Sequence, residues 1–226
     1  MDVILFGATG MVGQGVLREC LLDPRVRRIA SIGRTGIGDK HAKLDEIVHA
    51  NLFDITALDL QNFDACFFCL GVSSAGMSEA DYRRITYDLT LSVAGTLVKQ
   101  NPDMTFIYVS GAGTGGRAMW ARVKGDTEDA LLKLGFRAAY MFRPALIQPM
   151  HGIKSRTAAY RIFYAITKPL LPLLRRFPKY VTTTEAVGRA MIEVAANGAA
   201  GKTILESEDI NISANQVSAA APNAGA

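Results

Sequence analysis

Cysteine, histidine and tryptophan are scarce in this chain, and each scarcity closes off a class of chemistry. Three cysteines cannot all pair, and Cys66 and Cys69 share one apolar run, so reduced thiols in a cytoplasmic protein are the expectation. Their C-x-x-C spacing does not make a metal or redox pair on a strand, because positions three apart point to opposite sides of a sheet. His41, His49 and His151 are widely separated and have no carboxylate cluster beside them, which leaves no zinc constellation. His151 alone falls near the expected cleft. Runs of like charge are missing too: 25 Lys+Arg against 21 Asp+Glu give a net +4 that is scattered, so nucleic acid is not an expected partner. The start, Met1-Asp2-Val3-Ile4-Leu5-Phe6, has no basic region before its apolar residues, so a secretory signal is not expected. No apolar stretch is long and clean enough to span a bilayer. The best, residues 158–174, is broken by Arg161, Lys168, Pro169 and Pro172. It reads as a helix covering a cleft or core, or as an interfacial helix that Arg175 and Arg176 would hold at a membrane surface.

What is present is apolar periodicity. With 226 residues, 49% of them hydrophobic, the chain can bury one full α/β core but is crowded for two. Short β-branched and aromatic runs predict strands over 2–6, 28–33, 46–51, 65–70, 105–110, 138–142 and 203–205. Between them, segments with an apolar face at helical spacing predict helices over 11–22, 78–100, 118–134 and 184–196. Asp23-Pro24, Asn101-Pro102, Gly135 and Asn197-Gly198 punctuate their ends. Alternation of this kind, joined by right-handed crossovers, gives a doubly wound parallel sheet, the Rossmann fold. The expected organisation is one domain over 1–212, with 152–181 as a cleft-covering insertion and 213–226 as a flexible tail rich in Ala, Asn and Ser.

The sharpest motif is Gly7-Ala8-Thr9-Gly10-Met11-Val12-Gly13, which leaves the first strand and opens the first helix. Gly7 permits the turn, Gly10 lets backbone approach a pyrophosphate, and Gly13 lets helix and strand pack closely. The helix start aims amides and a positive dipole end at the phosphates, with Thr9, Met11 and Val12 completing the cradle. No Walker lysine follows, which excludes a mononucleotide P-loop. The second strand ends in Ser31-Ile32-Gly33-Arg34, where NAD-selective sites place an acid against the ribose 2′-hydroxyl. An arginine there pairs bidentately with a 2′-phosphate, so NADP(H) is expected over NAD(H); a solvated loop arginine is the plain alternative. Asp54 is placed either to accept from the adenine amino group or to cap a helix. Leu70 and Gly71 offer an edge poor in side chains for the adenosine ribose.

Together, the glycine turn, Ile32-Gly33-Arg34, Cys69-Leu70-Gly71, Val109-Ser110, Val123-Lys124-Gly125 and Phe142-Arg143-Pro144 resemble the atypical short-chain dehydrogenase/reductase family. The nearest branch is the Tat-interacting-protein-like oxidoreductases, with NmrA-like and epimerase-like relatives further off. The resemblance runs from residue 1 to about 206 and implies an oxidoreductase acting on a small carbonyl or hydroxyl compound. It also implies Ser110 and Lys124 as catalytic residues, with Lys124, Arg143 and Pro144 beside the nicotinamide. It fails at one place, since the tyrosine of the family's Tyr-x-x-x-Lys is Trp120 here. Tyrosine and lysine four apart share a helix face, and the ammonium lowers the phenol pKa; indole has no acid-base equilibrium near neutral pH. Tyr82, Tyr87, Tyr108 and Tyr140 are the candidates for a displaced acid or else core packing residues. The second reading is a non-catalytic module that senses NADP(H) and reports to a protein partner.

Overall fold

The computed structural model describes residues 1–153 and 178–219. Seven parallel strands form the main sheet in the order β3-β2-β1-β4-β5-β6-β9. They are β1 (Asp2–Phe6), β2 (Arg28–Gly33), β3 (Leu44–Val48), β4 (Ala65–Phe68), β5 (Thr105–Val109), β6 (Ala138–Arg143) and β9 (Ile204–Glu206). The order reverses between β1 and β4, which makes the carboxyl end of that pair the switch point where ligands bind in such sheets.

Side-chain alternation along the strands builds two cores. Val3 and Leu5 join Phe67 and Phe142 on one face, while Ile4 and Phe6 join Phe68 and Phe106 on the other. Both faces are buried, so the central strands read as continuous apolar runs. The first face is covered by α1 (Met11–Leu22), α5 (Thr184–Asn197) and α6 (Ser207–Ala219), the second by α3 (Leu89–Gln100) and α4 (Met119–Leu132). Helices α1 and α5 touch through glycines: a Cβ on Gly15 would lie 2.5 Å from the Thr184 Cβ, and one on Gly188 2.8 Å from Glu19 Cγ.

Three expectations are corrected and one element pair is added. The third strand is Leu44–Val48, two residues early, because pairing Leu44 with Ile29 fixes an exposed edge strand that hydrophobicity marks weakly. The helix over 78–100 is interrupted: Ser78 caps α2 (Glu79–Arg83), then a π-helical turn over Arg84–Asp88 leads into α3. A second sheet pairs β7 (Leu146–Gln148) with β8 (Val181–Thr183), strands too short to show periodicity. Residues 213–219, expected within a flexible tail, continue α6, where Ala214 is only 4% exposed. Most of the expected insertion, 154–177 with Arg156, Arg161, Lys168, Arg175 and Arg176, lies outside the described residues. No described helix is long and apolar enough to cross a membrane.

Candidate functional site

The glycine turn follows β1 at the switch point, and its three glycines are there for different reasons. Gly7 has φ +83°, and a Cβ on it would sit 2.7 Å from the Leu70 amide nitrogen, so this turn and the end of β4 are in contact. A Cβ on Gly13 would lie 2.1 Å from the Gly7 carbonyl oxygen, which only glycine tolerates. Gly10 differs: its backbone is ordinary extended chain, φ −81° and ψ 165°, and a Cβ would meet only the Gly7 carbonyl at 3.3 Å. The fold asks less of Gly10 than of Gly13, since the Gly7 carbonyl would have to give by only a few tenths of an ångström, and a ligand resting on the turn supplies a further reason for glycine. No side chain caps the start of α1, which leaves its first amides directed outward.

Along the sheet edge from this turn, Arg34 is exposed and makes no hydrogen bond or ion pair to any described residue. Asp54 is exposed as well, but its Oδ1 accepts from Thr56 N at 3.1 Å and Thr56 Oγ1 at 2.6 Å. Those bonds hold the carboxyl below its ordinary pKa and give it a turn-forming role. Leu70 is half-buried and Gly71 is open, with nothing within 4 Å of a Cβ built there. A recess of about 610 Å³ opens beside the turn between α1 and the loop after β2, lined in part by Ala8, Thr9, Gln14, Gly36, Ile37 and His41. The sequence reading missed this loop contribution; its signal was the pair of glycines, Gly36 and Gly38. A second recess, of about 390 Å³, lies between α5, α6 and β8 and touches neither Ser110 nor Lys124.

Ser110, Trp120, Lys124 and Arg143 gather at the carboxyl ends of β5 and β6. Ser110 is 8% exposed, and its amide donates to the Phe142 carbonyl at 2.8 Å, fixing the end of β5 against β6. The Ala112 amide donates to the Pro144 carbonyl at 3.0 Å, so Pro144 anchors the same loop. Lys124 Nζ donates to the Ser110 carbonyl at 2.6 Å and lies 5.8 Å from the centre of the Tyr108 ring. Desolvation lowers its pKa to about 8, opposed by the Glu128 carboxylate one turn along. That carboxylate is 2% exposed and belongs to Arg143, whose Nε donates to both of its oxygens at 3.1 Å. Arg143, expected beside the nicotinamide, is held in this ion pair, which locks the end of β6 to α4. Glu128 and Thr114 are the site residues that sequence reasoning missed. Both sit one helical turn or one loop from Lys124 and Ser110, and nothing in their local pattern marks them.

Trp120 is half-buried one turn before Lys124, its indole edge against Gly113: a Cβ there would be 3.4 Å from Cη2. The displaced-acid candidates do not take over its position. Tyr82 and Tyr108 are each 2% exposed, and burial pushes the Tyr108 phenol up. Tyr87 lies under the Arg83 guanidinium, and Tyr140 packs against the core. His151 is bound to Glu185 at the start of α5, 2.8 Å away. Cys20, Cys66 and Cys69 are free thiols pushed up by burial, with Cys66 in one core and Cys69 packed against the other. Among the described residues no His, Cys, Asp or Glu cluster is arranged to hold a metal ion.

Fold and switch point define a Rossmann-type α/β protein built like the short-chain dehydrogenases and epimerases. Solved structures bear this out at the level of the fold. MoeE5 in complex with UDP-glucuronic acid and NAD superposes with a TM-score of 0.69 at 16% identity, covering 91% of this chain and 76% of that one. A short chain dehydrogenase/reductase from Saccharomyces cerevisiae gives 0.67 at 12% identity, covering 92% and 96%. In sequence, the chain is 29% identical over 175 residues to Protein fmp52, mitochondrial, of Emericella nidulans, which is 73% of this chain and 74% of that protein. No family model matches the chain. Relatives in several other fungi carry the same mitochondrial designation, which overturns the cytoplasmic expectation. Free cysteines do not tell one compartment from another.

Proposed function

We propose that this chain is an NADP(H)-dependent oxidoreductase of the atypical short-chain type, acting on a small carbonyl or hydroxyl compound. The observation that carries the reading is Gly10, a glycine that the backbone hardly requires, at an uncapped helix start on the switch point. Gly7, Thr9, Gly10, Met11, Val12 and Gly13 would hold the pyrophosphate on backbone amides. Leu70 and Gly71 would border the adenosine ribose, Asp54 would lie at the adenine end, and Arg34, unpaired among the described residues, would meet the 2′-phosphate that separates NADP(H) from NAD(H). The bound dinucleotide supplies or accepts a hydride. Lys124, held by the Ser110 carbonyl, would contact the nicotinamide ribose, and Ser110 would orient the substrate oxygen. Pro144 and the Arg143–Glu128 pair keep that end of the cleft in register.

Trp120 favours a second reading, a module that binds NADP(H) without turnover and signals to a protein partner. Both are tested by titrating NADPH and NADH against the emission of Trp120, the single tryptophan, with NADPH oxidation measured beside it over a panel of carbonyls and quinones. Quenching by NADPH with turnover supports the oxidoreductase. Quenching without turnover on any of them supports the sensor, and no quenching by either nucleotide refutes both.

A further inference from the structure

This inference rests on the oxidoreductase reading and concerns what the site reduces. Among the described residues, few proton donors stand at the carboxyl end of β5. Trp120 stands where an acid would be, and an indole does not titrate near neutral pH. Thr114 Oγ1 donates to the Gly111 carbonyl at 2.7 Å, so its oxygen is left to accept the Ser110 hydroxyl proton across a further 2.7 Å. In that arrangement the Ser110 hydroxyl is engaged with Thr114, so Ser110 positions the substrate oxygen and is not an acid that protonates it. Tyr82 and Tyr108 are buried in the core. Among the described residues, the Lys124 ammonium, bonded to the Ser110 carbonyl while Arg143 engages Glu128, remains as the proton donor of this group.

A site so equipped suits an acceptor whose reduced form is a weak base. Hydride addition to an isolated aldehyde or ketone leaves an alkoxide nearly as basic as hydroxide, whose parent water has a pKa of about 15.7. It therefore needs an acid in the transition state. Hydride addition to a quinone leaves a hydroquinone monoanion, a phenolate about as basic as tyrosinate, pKa ~10. That anion forms without concerted acid help and takes its proton afterwards from an ammonium that burial has brought down to about 8. Shape agrees with charge. The half-buried Trp120 indole meets Gly113 by its edge, and Gly111 and Gly115 add no side chain to the same loop, so a flat partner would have ring surface to stack on.

We propose that the hydride acceptor is a quinone, seated beside Trp120 with its reduced oxygen directed to Lys124. The quinone gains two electrons and one proton as hydride from reduced NADP, which is left oxidised. The hydroquinone monoanion then takes its second proton from Lys124 Nζ, and water restores the ammonium.

The test measures NADPH oxidation by the full chain with menadione, cyclohexanone and benzaldehyde, each corrected for the uncatalysed rate. Alongside, 2-naphthol, an inert flat phenol, is titrated against Trp120 emission in cofactor-free protein. Menadione is expected to exceed either carbonyl in kcat/KM by about 100-fold, the scale of a missing general acid. Naphthol should quench Trp120, and Lys124→Met should weaken that quenching while lowering menadione kcat. Trp120→Tyr should raise turnover of the carbonyls. Carbonyls reduced as well as menadione, naphthol that fails to quench, or NADPH bound with menadione unreduced would each overturn the quinone assignment alone. NADPH that does not bind at all overturns the oxidoreductase reading, and this one with it.

Discussion

Gly10 and Gly13 stand three residues apart in one turn, and alanine at each should fail in a different assay. At Gly13 the new methyl would lie 2.1 Å from the Gly7 carbonyl oxygen and 2.9 Å from the Ala8 Cα. Both neighbours are backbone between β1 and α1, so no side chain can swing away. Overpacking of this kind costs about 3 kcal/mol. For a domain of this size that is a fall in Tm of about 6–12 °C. At Gly10 the methyl meets only the Gly7 carbonyl at 3.3 Å, and the backbone is one that alanine adopts freely. Stability should change by no more than about 0.5 kcal/mol. The same methyl, however, stands where a diphosphate would approach the amides, and losing a hydrogen bond to a charged group costs about 1.5–3 kcal/mol. The NADPH Kd should therefore rise roughly 10- to 150-fold. Thermal melts and Trp120 quenching titrations on the two variants read the two effects separately. If Gly10→Ala binds NADPH like the unaltered chain, or melts as early as Gly13→Ala, the turn is a packing device and not a phosphate cradle.

Arg34→Ala should raise the NADPH Kd by roughly 10- to 150-fold, from about 1.5–3 kcal/mol of charge-assisted bonding, and leave NADH unchanged; equal losses for both would remove Arg34 from the site. Glu128→Ala leaves the Arg143 guanidinium without its partner in a site where Glu128 is 2% exposed. Stability should drop by about 3 kcal/mol, the low end for a buried pair, because Arg143 keeps some solvent contact. A urea midpoint unmoved by that change would show the pair to be inert. Lys124 has its pKa lowered by desolvation from 10.5 to about 8 in the folded chain. Between those values the unfolded chain holds a proton that the folded chain has released, so stability rises with pH there and the penalty is fully present below the lower value. Relative to Lys124→Met, the unaltered chain should gain stability across that window in urea titrations, and a flat or falling difference contradicts the burial of the ammonium. In the same range, acetic anhydride should modify Lys124 at a lower pH than the exposed lysines, as read by mass spectrometry.

Most of the scaffold was legible because strand and helix periods differ. Val3 to Phe6 alternate between two cores, and the apolar stripe of 11–22 sits on one helix face, so local pattern and global fold agree. Boundaries failed where burial is weak: β3 is an exposed edge, and β7 and β8 are too short to carry a period. The tail reading failed at Ala214 because small residues hide a helix whose buried face is set by α5 and β8. The compartment was misjudged because thiol chemistry reports redox state alone.

By itself the sequence determined the glycine turn, its place between strand and helix, Arg34 after the second strand, and Trp120 four residues before Lys124. Each is a local property, fixed by residue type and by a few neighbours along the chain. Only the tertiary structure decided that Gly13 is wedged against backbone at 2.1 Å while Gly10 meets it at 3.3 Å. It also decided that Arg143 belongs to Glu128, and that the Ser110 and Thr114 hydroxyls share a hydrogen bond. These depend on which atoms approach within hydrogen-bond or van der Waals distance after the strands have paired, and chain spacing does not encode such distances.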